Sequence, residues 1–333
     1  MVTQKRRRPT IHDVAAASGV SRGTVSRFLN GGHNVSPGAA KAIQKAVKDT
    51  GYVVNQHARS LVTSRSHSVA FILAEPQERL FEDPNFNVLL HGATRALAEH
   101  DIMLLLTIAG NIDDRKRVSR YITSGHVDGA LLVSSHSGDP LIEELRGQDI
   151  PVVTIGRPLG HEGDVPYVVS DDREGARQMT RYLMDRGGRK IATITGALDT
   201  SGGVDRLQGF REVAGHGAPV AEGDYTLAGG RAAMERLLAA HPDLDAVFVA
   251  SDLMASGALI ALRESGRRVP EDVAVGGFDD SPVAMSTAPK LTTMRQPWTQ
   301  LSRELVRLLL AVIDGAEPSA IMLPTQLVVR DSA

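Results

Sequence analysis

The chain has 333 residues, a formal net charge of −2, 42% hydrophobic residues and no cysteine. This length is enough for two ordinary domains of about 100–200 residues each. The lack of cysteine excludes disulfides and thiolate metal sites, and no stretch approaches the roughly 20 apolar residues of a membrane-spanning helix. Because no apolar segment follows the basic N-terminus as a secretion signal would require, we expect a cytoplasmic protein.

The nearly neutral total conceals two parts of opposite charge. Residues 1–66 hold 11 Lys and Arg against 2 Asp and Glu, a net charge of +9, and the remaining residues carry a net charge of −11. A small basic segment joined to an acidic body is typical of a nucleic-acid-binding module attached to another domain. We expect the run KRRR at 5–8 to be a flexible arm that either contacts phosphates or aids solubility.

Residues 10–30 predict two short helices separated by a tight turn at Gly19. Thr10 and Ser21 are suitable N-cap residues, and Asp13 stands three residues after Thr10, as in a capping box. The second helix combines an apolar side with a polar, basic side formed by Arg22, Gly23, Ser26 and Arg27. This pattern predicts a helix-turn-helix that lays its second helix in the DNA major groove, the alternative being an ordinary amphipathic pair with solvated arginines.

Two further segments complete the basic region. Residues 36–50 predict a third helix, with Ser36 as its cap and Pro37 in its first turn. The lysines of this helix at 41, 45 and 48 lie either against the DNA backbone or in solvent. Residues 55–63 are fewer than the roughly 12–15 that an isolated helix needs, so we expect this segment to become helical only when docked on DNA.

From residue 68 onward, continuous apolar runs alternate with amphipathic segments. The predicted strands are 69–74, 102–108, 129–133, 151–155, 191–195, 246–250 and 273–276. The predicted helices are 87–99, 113–123, 174–186, 228–240 and 253–265. Such alternation is typical of parallel βαβ units with both sheet faces covered. We predict an α/β body of two doubly wound parallel-sheet lobes, with a ligand cleft beyond the carboxyl ends of the strands.

Eight short motifs follow one another along the chain: TIHDVA (10–15), GVSRGTVSRFLN (19–30), Y52…N55…ARSL (58–61), SDD (170–172), RLQGF (206–210), SDLMA (251–255), V273…GFDD (277–280) and LTTMRQP (291–297). Together they resemble the lactose-repressor (LacI/GalR-type) family of bacterial transcription regulators over essentially the whole chain. The resemblance implies an all-α helix-turn-helix DNA-binding domain (1–54), a hinge helix or linker (55–66), and a periplasmic-binding-protein-like ligand-binding and dimerisation domain (67–333).

The resemblance also implies bounds for the two lobes of that last domain. One lobe would comprise about 67–168 and 298–318, and the other about 169–297 and 319–333. Three crossovers would join them, near 167–171, 296–300 and 317–322. Tetramers of this family use an added C-terminal heptad segment. Since only three residues follow the predicted final strand at 325–330, we expect a dimer and not a tetramer.

The resemblance assigns Arg22, Gly23 and Arg27 to base-reading positions, where arginine suits bidentate contact with guanine. Gly23 departs from the pattern because it has no side chain with which to read a base, and Val54 stands where the family often has proline. Leu61 matches a hinge leucine that wedges into the minor groove of a palindromic operator, its alternative being a core leucine. The expected DNA-binding residues are Thr10, Ser21, Arg22, Gly23, Thr24, Ser26, Arg27, Asn30, Asn55, Ala58 and Leu61.

A small-molecule effector, in most of the family a sugar, is expected between the lobes. The residues that match effector contacts are Phe86, Arg157, Thr200, Ser201, Arg206, Tyr225, Ser251, Asp279, Gln296 and Trp298. Arg206, Asp279 and Gln296 can share several hydroxyls, while an aromatic ring can face a sugar ring. The alternatives are an interlobe salt bridge for Arg206 and Asp279, and core packing for the aromatic side chains.

The sequence contains none of the common catalytic or nucleotide-binding motifs, and its 11 histidines are scattered without metal-ligand spacing. Adjacent acids such as Asp279 and Asp280 at a strand end point to opposite sides, which disfavours a shared-proton dyad. We therefore predict no catalytic residue, no metal and no cofactor. The prediction is a dimeric, sugar-controlled repressor; control by a partner protein or a non-sugar metabolite is the alternative, and an α/β enzyme a remote one.

Overall fold

The computed structural model describes residues 7, 9–29, 35–52 and 65–333. The chain forms two compact units, Met1–His67 and Ser68–Ala333. Among the described residues, no helix is both long and apolar enough to cross a membrane.

The first unit contains helices α1 (Ile11–Ser18), α2 (Arg22–Leu29) and α3 (Pro37–Thr50). Both the backbone amide and the hydroxyl of Thr10 donate to Oδ2 of Asp13, at 2.7 and 2.8 Å. Gly19 ends α1 in the left-handed region at φ 67°. These features confirm the predicted helix pair and its turn.

The three helices meet around a small core. Val14 from α1, Val25 from α2 and Ile43 from α3 are each fully buried. The Ser36 hydroxyl accepts a hydrogen bond from the amide of Ala39, so the third helix is capped as predicted. Because the apolar side of α2 is used for this core, its basic side faces solvent.

The second unit alternates strands and helices along its length. Its strands are β1 (Ser68–Leu73), β2 (Met103–Ile108), β3 (Gly129–Val133), β4 (Val152–Ile155), β5 (Tyr167–Ser170), β6 (Ile191–Thr195), β7 (Val220–Glu222), β8 (Ala246–Val249), β9 (Ala274–Asp279), β10 (Thr292–Arg295), β11 (Ala320–Leu323) and β12 (Gln326–Val328). Its helices are α4 (Gln77–Glu82), α5 (Pro84–Ala98), α6 (Ile112–Tyr121), α7 (Pro140–Arg146), α8 (Asp172–Asp185), α9 (Ser201–Ala214), α10 (Leu227–Ala240), α11 (Asp252–Glu264), α12 (Pro282–Ser286) and α13 (Trp298–Ile313).

Two six-stranded sheets organise this unit into two lobes. The first has the order β11-β5-β4-β3-β1-β2 and is parallel throughout. The second has the order β12-β10-β9-β8-β6-β7, with only β12 antiparallel. Phe71 packs on one face of the first sheet and Ile72 on the other, and both are fully buried. The predicted pair of doubly wound lobes is therefore confirmed.

The lobe boundaries differ from the predicted ones. β5 and β11 pair in register, Tyr167 with Ala320 and Ser170 with Leu323, so both belong to the first sheet. One crossover therefore follows residue 170, within the predicted 167–171, and another follows residue 323, just beyond the predicted 317–322. Strands of four residues at a crossover carry too little periodicity to be assigned from the sequence. The remaining connection runs from β10 to α13, within the predicted 296–300.

Candidate functional site

The outer side of α2 presents a polar, basic surface. Arg22, Gly23 and Arg27 are exposed, whereas Ser26 is half-buried. The Ser21 hydroxyl accepts from the amide of Thr24 at 3.2 Å and so caps this helix. An exposed helix with two arginines and a capped N-terminus has the chemistry to dock on a duplex.

The remaining predicted DNA contacts divide into two groups. Thr10 caps α1 through its bonds to Asp13, at the start of the helix pair. The predicted hinge helix 55–63 lies outside the described residues, as do Asn30, Asn55, Ala58 and Leu61.

A cavity lies between the two sheets of the second unit, at the carboxyl ends of their strands. Its wall includes Val133 and Ile155 at the ends of β3 and β4, and Asp279 at the end of β9. Eight of the ten predicted ligand residues line it: Phe86, Thr200, Ser201, Arg206, Tyr225, Asp279, Gln296 and Trp298. Parallel α/β sheets characteristically bind ligands at this end.

Arg206, on α9, lines the cavity and is only 6% exposed. Its Nε donates to Oδ1 of Asp172 at 3.0 Å, and its Nη1 donates to the carbonyl of Ala250 at 2.5 Å. Its Nη1 also lies 3.7 Å from Oδ1 of Asp279, and its guanidinium carbon lies 3.9 Å from the centre of the Phe278 ring. Burial lowers the pKa of Arg206, but the neighbouring anionic groups outweigh burial and leave that pKa raised.

Asp279 projects into the cavity from a strained backbone position. Its φ is 117° and that of Asp280 is 55°, both in the region that disfavours non-glycine residues. Gln296 Nε2 donates to Asp279 Oδ1 at 2.7 Å. Burial raises the pKa of Asp279 to about 7, against the opposing attraction of Arg206.

The neighbouring carboxylate of Asp280 faces away from this group. It pairs instead with Arg295 and Arg330, at 2.6 and 2.5 Å, and does not line the cavity. The two adjacent acids therefore point to different sides, as their position at a strand end predicts. Among the described residues, no group of three or more His, Asp and Glu could hold a metal ion.

Several cavity residues were not predicted from the sequence. Glu75, Arg79, Asp83 and Asn85 follow β1 and precede the helix that the sequence predicts at 87–99. Arg79 Nη1 donates to the carbonyl of Tyr225 at 2.7 Å, and its Nη2 lies 3.4 Å from Asp83. Buried arginines beside acids are a sign of a functional site, but nothing local in the sequence shows that these positions are buried.

Two predicted ligand residues do not line the cavity. Arg157 is held by Asp205 at 2.6 Å and by Glu162 at 3.1 Å, outside the wall. Ser251 is buried and caps α11 by accepting from the amide of Met254. Both follow strand ends, as the cavity residues do, but their side chains are used by other contacts.

The two lobes touch at several points around the cavity. His136, after β3, lies 2.9 Å from Asp199 of the other lobe through Nδ1 and 3.1 Å from Glu75 through Nε2. The amide of Ser137 donates to the carbonyl of Asp199 at 2.7 Å. The hydrogen bond to Glu75, together with that to Asp199, raises the pKa of His136 to about 9.

The arrangement of a basic helix-turn-helix and a two-lobed body agrees with comparisons against known proteins. The model of the LacI family of bacterial regulatory proteins matches residues 10–55, and that of the periplasmic binding protein-like domain matches residues 180–333. The HTH-type transcriptional regulator CelR of Thermobifida fusca is 46% identical over 338 residues, covering 99% of each chain. The chain belongs to the LacI family. It is a transcriptional regulator and not an enzyme.

Other relatives extend the comparison. The ribose operon repressor of Halalkalibacterium halodurans is 30% identical, covering 97% of this chain and 96% of its own. A solved CelR–cellobiose complex is 44% identical, with a TM-score of 0.79 and coverage of 98% and 100%. The lac repressor dimer bound to operator and the anti-inducer ONPF has a TM-score of 0.85 over 98% and 99% of the chains, but at 23% identity it shows the fold alone.

Proposed function

We propose that this LacI-family regulator is a homodimeric repressor of a palindromic operator, controlled by a neutral sugar bound between its lobes. The best candidate sugar is a β-linked glucose disaccharide such as cellobiose. The observation that carries the proposal is the buried group of Arg206, Asp279 and Gln296 at the cavity wall. The complex of the similar CelR with cellobiose supports the choice of sugar.

The chemistry of the wall suits a polyol. Asp279 offers hydrogen-bond acceptors, and Gln296 offers both acceptors and a donor. The 2.7 Å hydrogen bond between these two side chains holds them in a fixed orientation. The rings of Phe86, Tyr225 and Trp298 supply apolar faces on which a pyranose can stack. The sugar is therefore held between aromatic faces while its hydroxyls reach the buried polar groups.

At the DNA, Arg22 and Arg27 read base edges from the exposed side of α2, and Gly23 allows a close approach between them. Ser21, Thr24 and Ser26, with Thr10 at the start of α1, contact phosphates and fix the register. Two copies of the chain place two such helices on the half-sites of a palindrome. Sugar binding changes the preferred arrangement of the lobes, and with it the affinity for the operator.

The test is a titration of purified protein with cellobiose, followed by thermal stability and by fluorescence of Trp298, the one tryptophan. A ligand at 100 times its Kd adds about 2.7 kcal/mol of stability. Maltose, which differs only in the configuration of its linkage, is the control. Operator binding is then measured by fluorescence anisotropy with and without the sugar, at a fixed salt concentration.

Stabilisation by cellobiose and not by maltose, with a change in operator affinity, supports the proposal. An Arg206→Met variant should lose the sugar response while it still binds the operator. If no sugar stabilises the protein, control by a partner protein or a non-sugar metabolite replaces the proposal. Sedimentation at micromolar concentration tests the dimer, which a monomer or tetramer would refute.

A further inference from the structure

The cavity wall contains more acidic than basic side chains. Glu75, Asp83, Asp172 and Asp279 line it, against the two guanidinium groups of Arg79 and Arg206. When all four carboxylates are ionised, they exceed the two guanidiniums by two negative charges. His136 and Asp199, next to Glu75, add one positive and one negative charge and leave this excess unchanged. Because a bound ligand displaces water from the cavity, the excess negative charge acts on that ligand with much less screening than at the protein surface.

Both guanidinium groups already have hydrogen-bond or ion-pair partners within the protein. Arg206 is bound by Asp172, by the carbonyl of Ala250 and by Asp279. Arg79 is bound by the carbonyl of Tyr225 and lies next to Asp83. Of the described residues that line the cavity, none other is Lys or Arg.

His136, which contacts Glu75 of the wall, is also paired within the protein. His136 contacts Glu75 at 3.1 Å and Asp199 at 2.9 Å, so its charge is matched on both ring nitrogens. An anionic ligand would therefore meet repulsion and would have to displace a carboxylate from an arginine to find a partner. Hydroxyl groups need no such exchange, since they donate to carboxylates directly.

We infer that the cavity distinguishes sugars by charge: it accepts neutral and cationic sugars and rejects aldonic, uronic and phosphorylated ones. This inference rests on the proposed function, and it adds a selectivity that a neutral sugar complex does not reveal. The regulator then responds to intact oligosaccharide and not to its oxidised or phosphorylated products. The residues that set this selectivity are the acids of the wall, of which Asp83 is the most open to testing.

The probes are sugars that differ only in charge. Cellobiitol, cellobionate and 1-amino-1-deoxycellobiitol share one open-chain end that is neutral, anionic or cationic. Cellobiose and glucuronosyl-β-1,4-glucose form a second pair, in which both rings stay intact and one hydroxymethyl becomes a carboxylate. Calorimetric titration at pH 8, above the pKa of Asp279 at about 7, gives the Kd of each.

One excess negative charge about 7 Å from an anionic group of the ligand weakens binding by about 3-fold at an effective dielectric of 80 and about 50-fold at 20. With two excess negative charges, we expect each anionic probe to bind at least about 10-fold more weakly than its neutral partner. The cationic probe should bind at least as tightly as the neutral one.

Asp83→Asn provides the decisive variant. Asp83 caps α5 by accepting from the amide of Asn85 at 3.0 Å, and asparagine caps a helix equally well. The change removes one negative charge from the wall and frees Arg79, so the penalty against the anionic probe should fall by at least about 3-fold. Asp139→Asn is the matched control: Asp139 caps α7 through the amide of Leu141 and pairs with Arg115, away from the cavity wall.

The outcomes separate the two proposals. If the neutral members of both pairs fail to bind, the proposed sugar-sensing function fails. If neutral sugars bind but either anionic partner binds within about 3-fold, charge selection is overturned while sugar sensing stands. An unchanged penalty in Asp83→Asn, equal to that of Asp139→Asn, overturns the assignment to the acids of the wall.

Discussion

Gly23→Ala is expected to stabilise the free protein and to weaken its binding to DNA. Gly23 is the second residue of α2 and is exposed. A Cβ built there has Ser21 Oγ at 3.9 Å as its nearest contact, so nothing in the fold requires a glycine. Because alanine forms helices better than glycine, the first unit should gain about 0.5–1 kcal/mol.

The same methyl group would project from the exposed side of α2, next to Arg22. If α2 approaches base edges there, the methyl separates the helix from the groove by more than a hydrogen bond tolerates. The expected loss is that of one mismatched base pair, about 1–3 kcal/mol or roughly 5- to 150-fold in affinity. Stability and DNA binding should therefore change in opposite directions.

Gly38→Ala is the matched control. Gly38 is the second residue of α3, is exposed, and has no atom within 4 Å of a built Cβ. It should gain stability in the same way as Gly23→Ala, without any loss of DNA binding, since it lies outside the exposed side of α2. Calorimetric unfolding gives the stability, and anisotropy with an operator selected by the wild-type protein gives the affinity at one salt concentration.

The two variants together decide the role of α2. If Gly23→Ala and Gly38→Ala bind the selected operator equally well, α2 does not approach the bases at this position, and the glycine has no explanation in DNA reading. If affinity falls equally for every DNA sequence, the methyl disturbs phosphate contacts and not base contacts. Only a loss that depends on the base pair supports base reading.

Three further predictions concern the second unit. His136→Gln should lower the free energy of unfolding by at most about 3 kcal/mol, since its pKa rises from 6.5 to about 9 and each unit is worth about 1.36 kcal/mol. The deficit should be full below pH 6.5 and disappear as the pH rises through 9 in urea unfolding; a pH-independent deficit would contradict the ion pairing. The sugar affinity of the wild type should rise as the Asp279 carboxylate ionises near pH 7, and Asp279→Asn should remove that rise, as calorimetry at pH 6 and 8 would reveal; a variant that keeps the rise would assign it to another group. Gly209→Ala should cost at least about 1–3 kcal/mol in thermal unfolding, because its Cβ would lie 2.2 Å from the carbonyl oxygen of Arg173; wild-type stability would show that α8 and α9 separate readily.

The fold was predictable because its central strands, such as β3 and β6, are buried on both faces. β3 and β6 were bounded correctly from their apolar runs alone, and α3 from its cap and proline. The strands that were missed are short: β7 has three residues, and β5, β10 and β11 have four each. Their assignment depends on which strand they pair with, and a single sequence does not contain that information.

The cavity was predictable only in part, and the reason is physical. Arg206 and Asp279 stand in motifs that the family resemblance carries, and the structure brings both to one wall. Arg79 and Asp83 stand in a polar stretch after β1 that has no such motif, and their burial is produced by contact with the opposite lobe at Tyr225. Long-range contact of this kind leaves no periodic trace in the sequence.

The internal pairing of the wall also decides how it can discriminate. Arg206 bonds to Asp172 and to Ala250, and Gln296 bonds to Asp279, so these polar groups hold one another in place within the protein. A sugar therefore meets polar groups that are already oriented, so it avoids the cost of immobilising those side chains. Since each group has only part of its hydrogen-bonding capacity left, a hydroxyl in the wrong configuration leaves a buried polar group unpaired, which costs about 1–3 kcal/mol. Selectivity among sugars of one charge then comes from the unused lone pairs of these fixed groups, and selectivity between charges comes from the carboxylates that hold them.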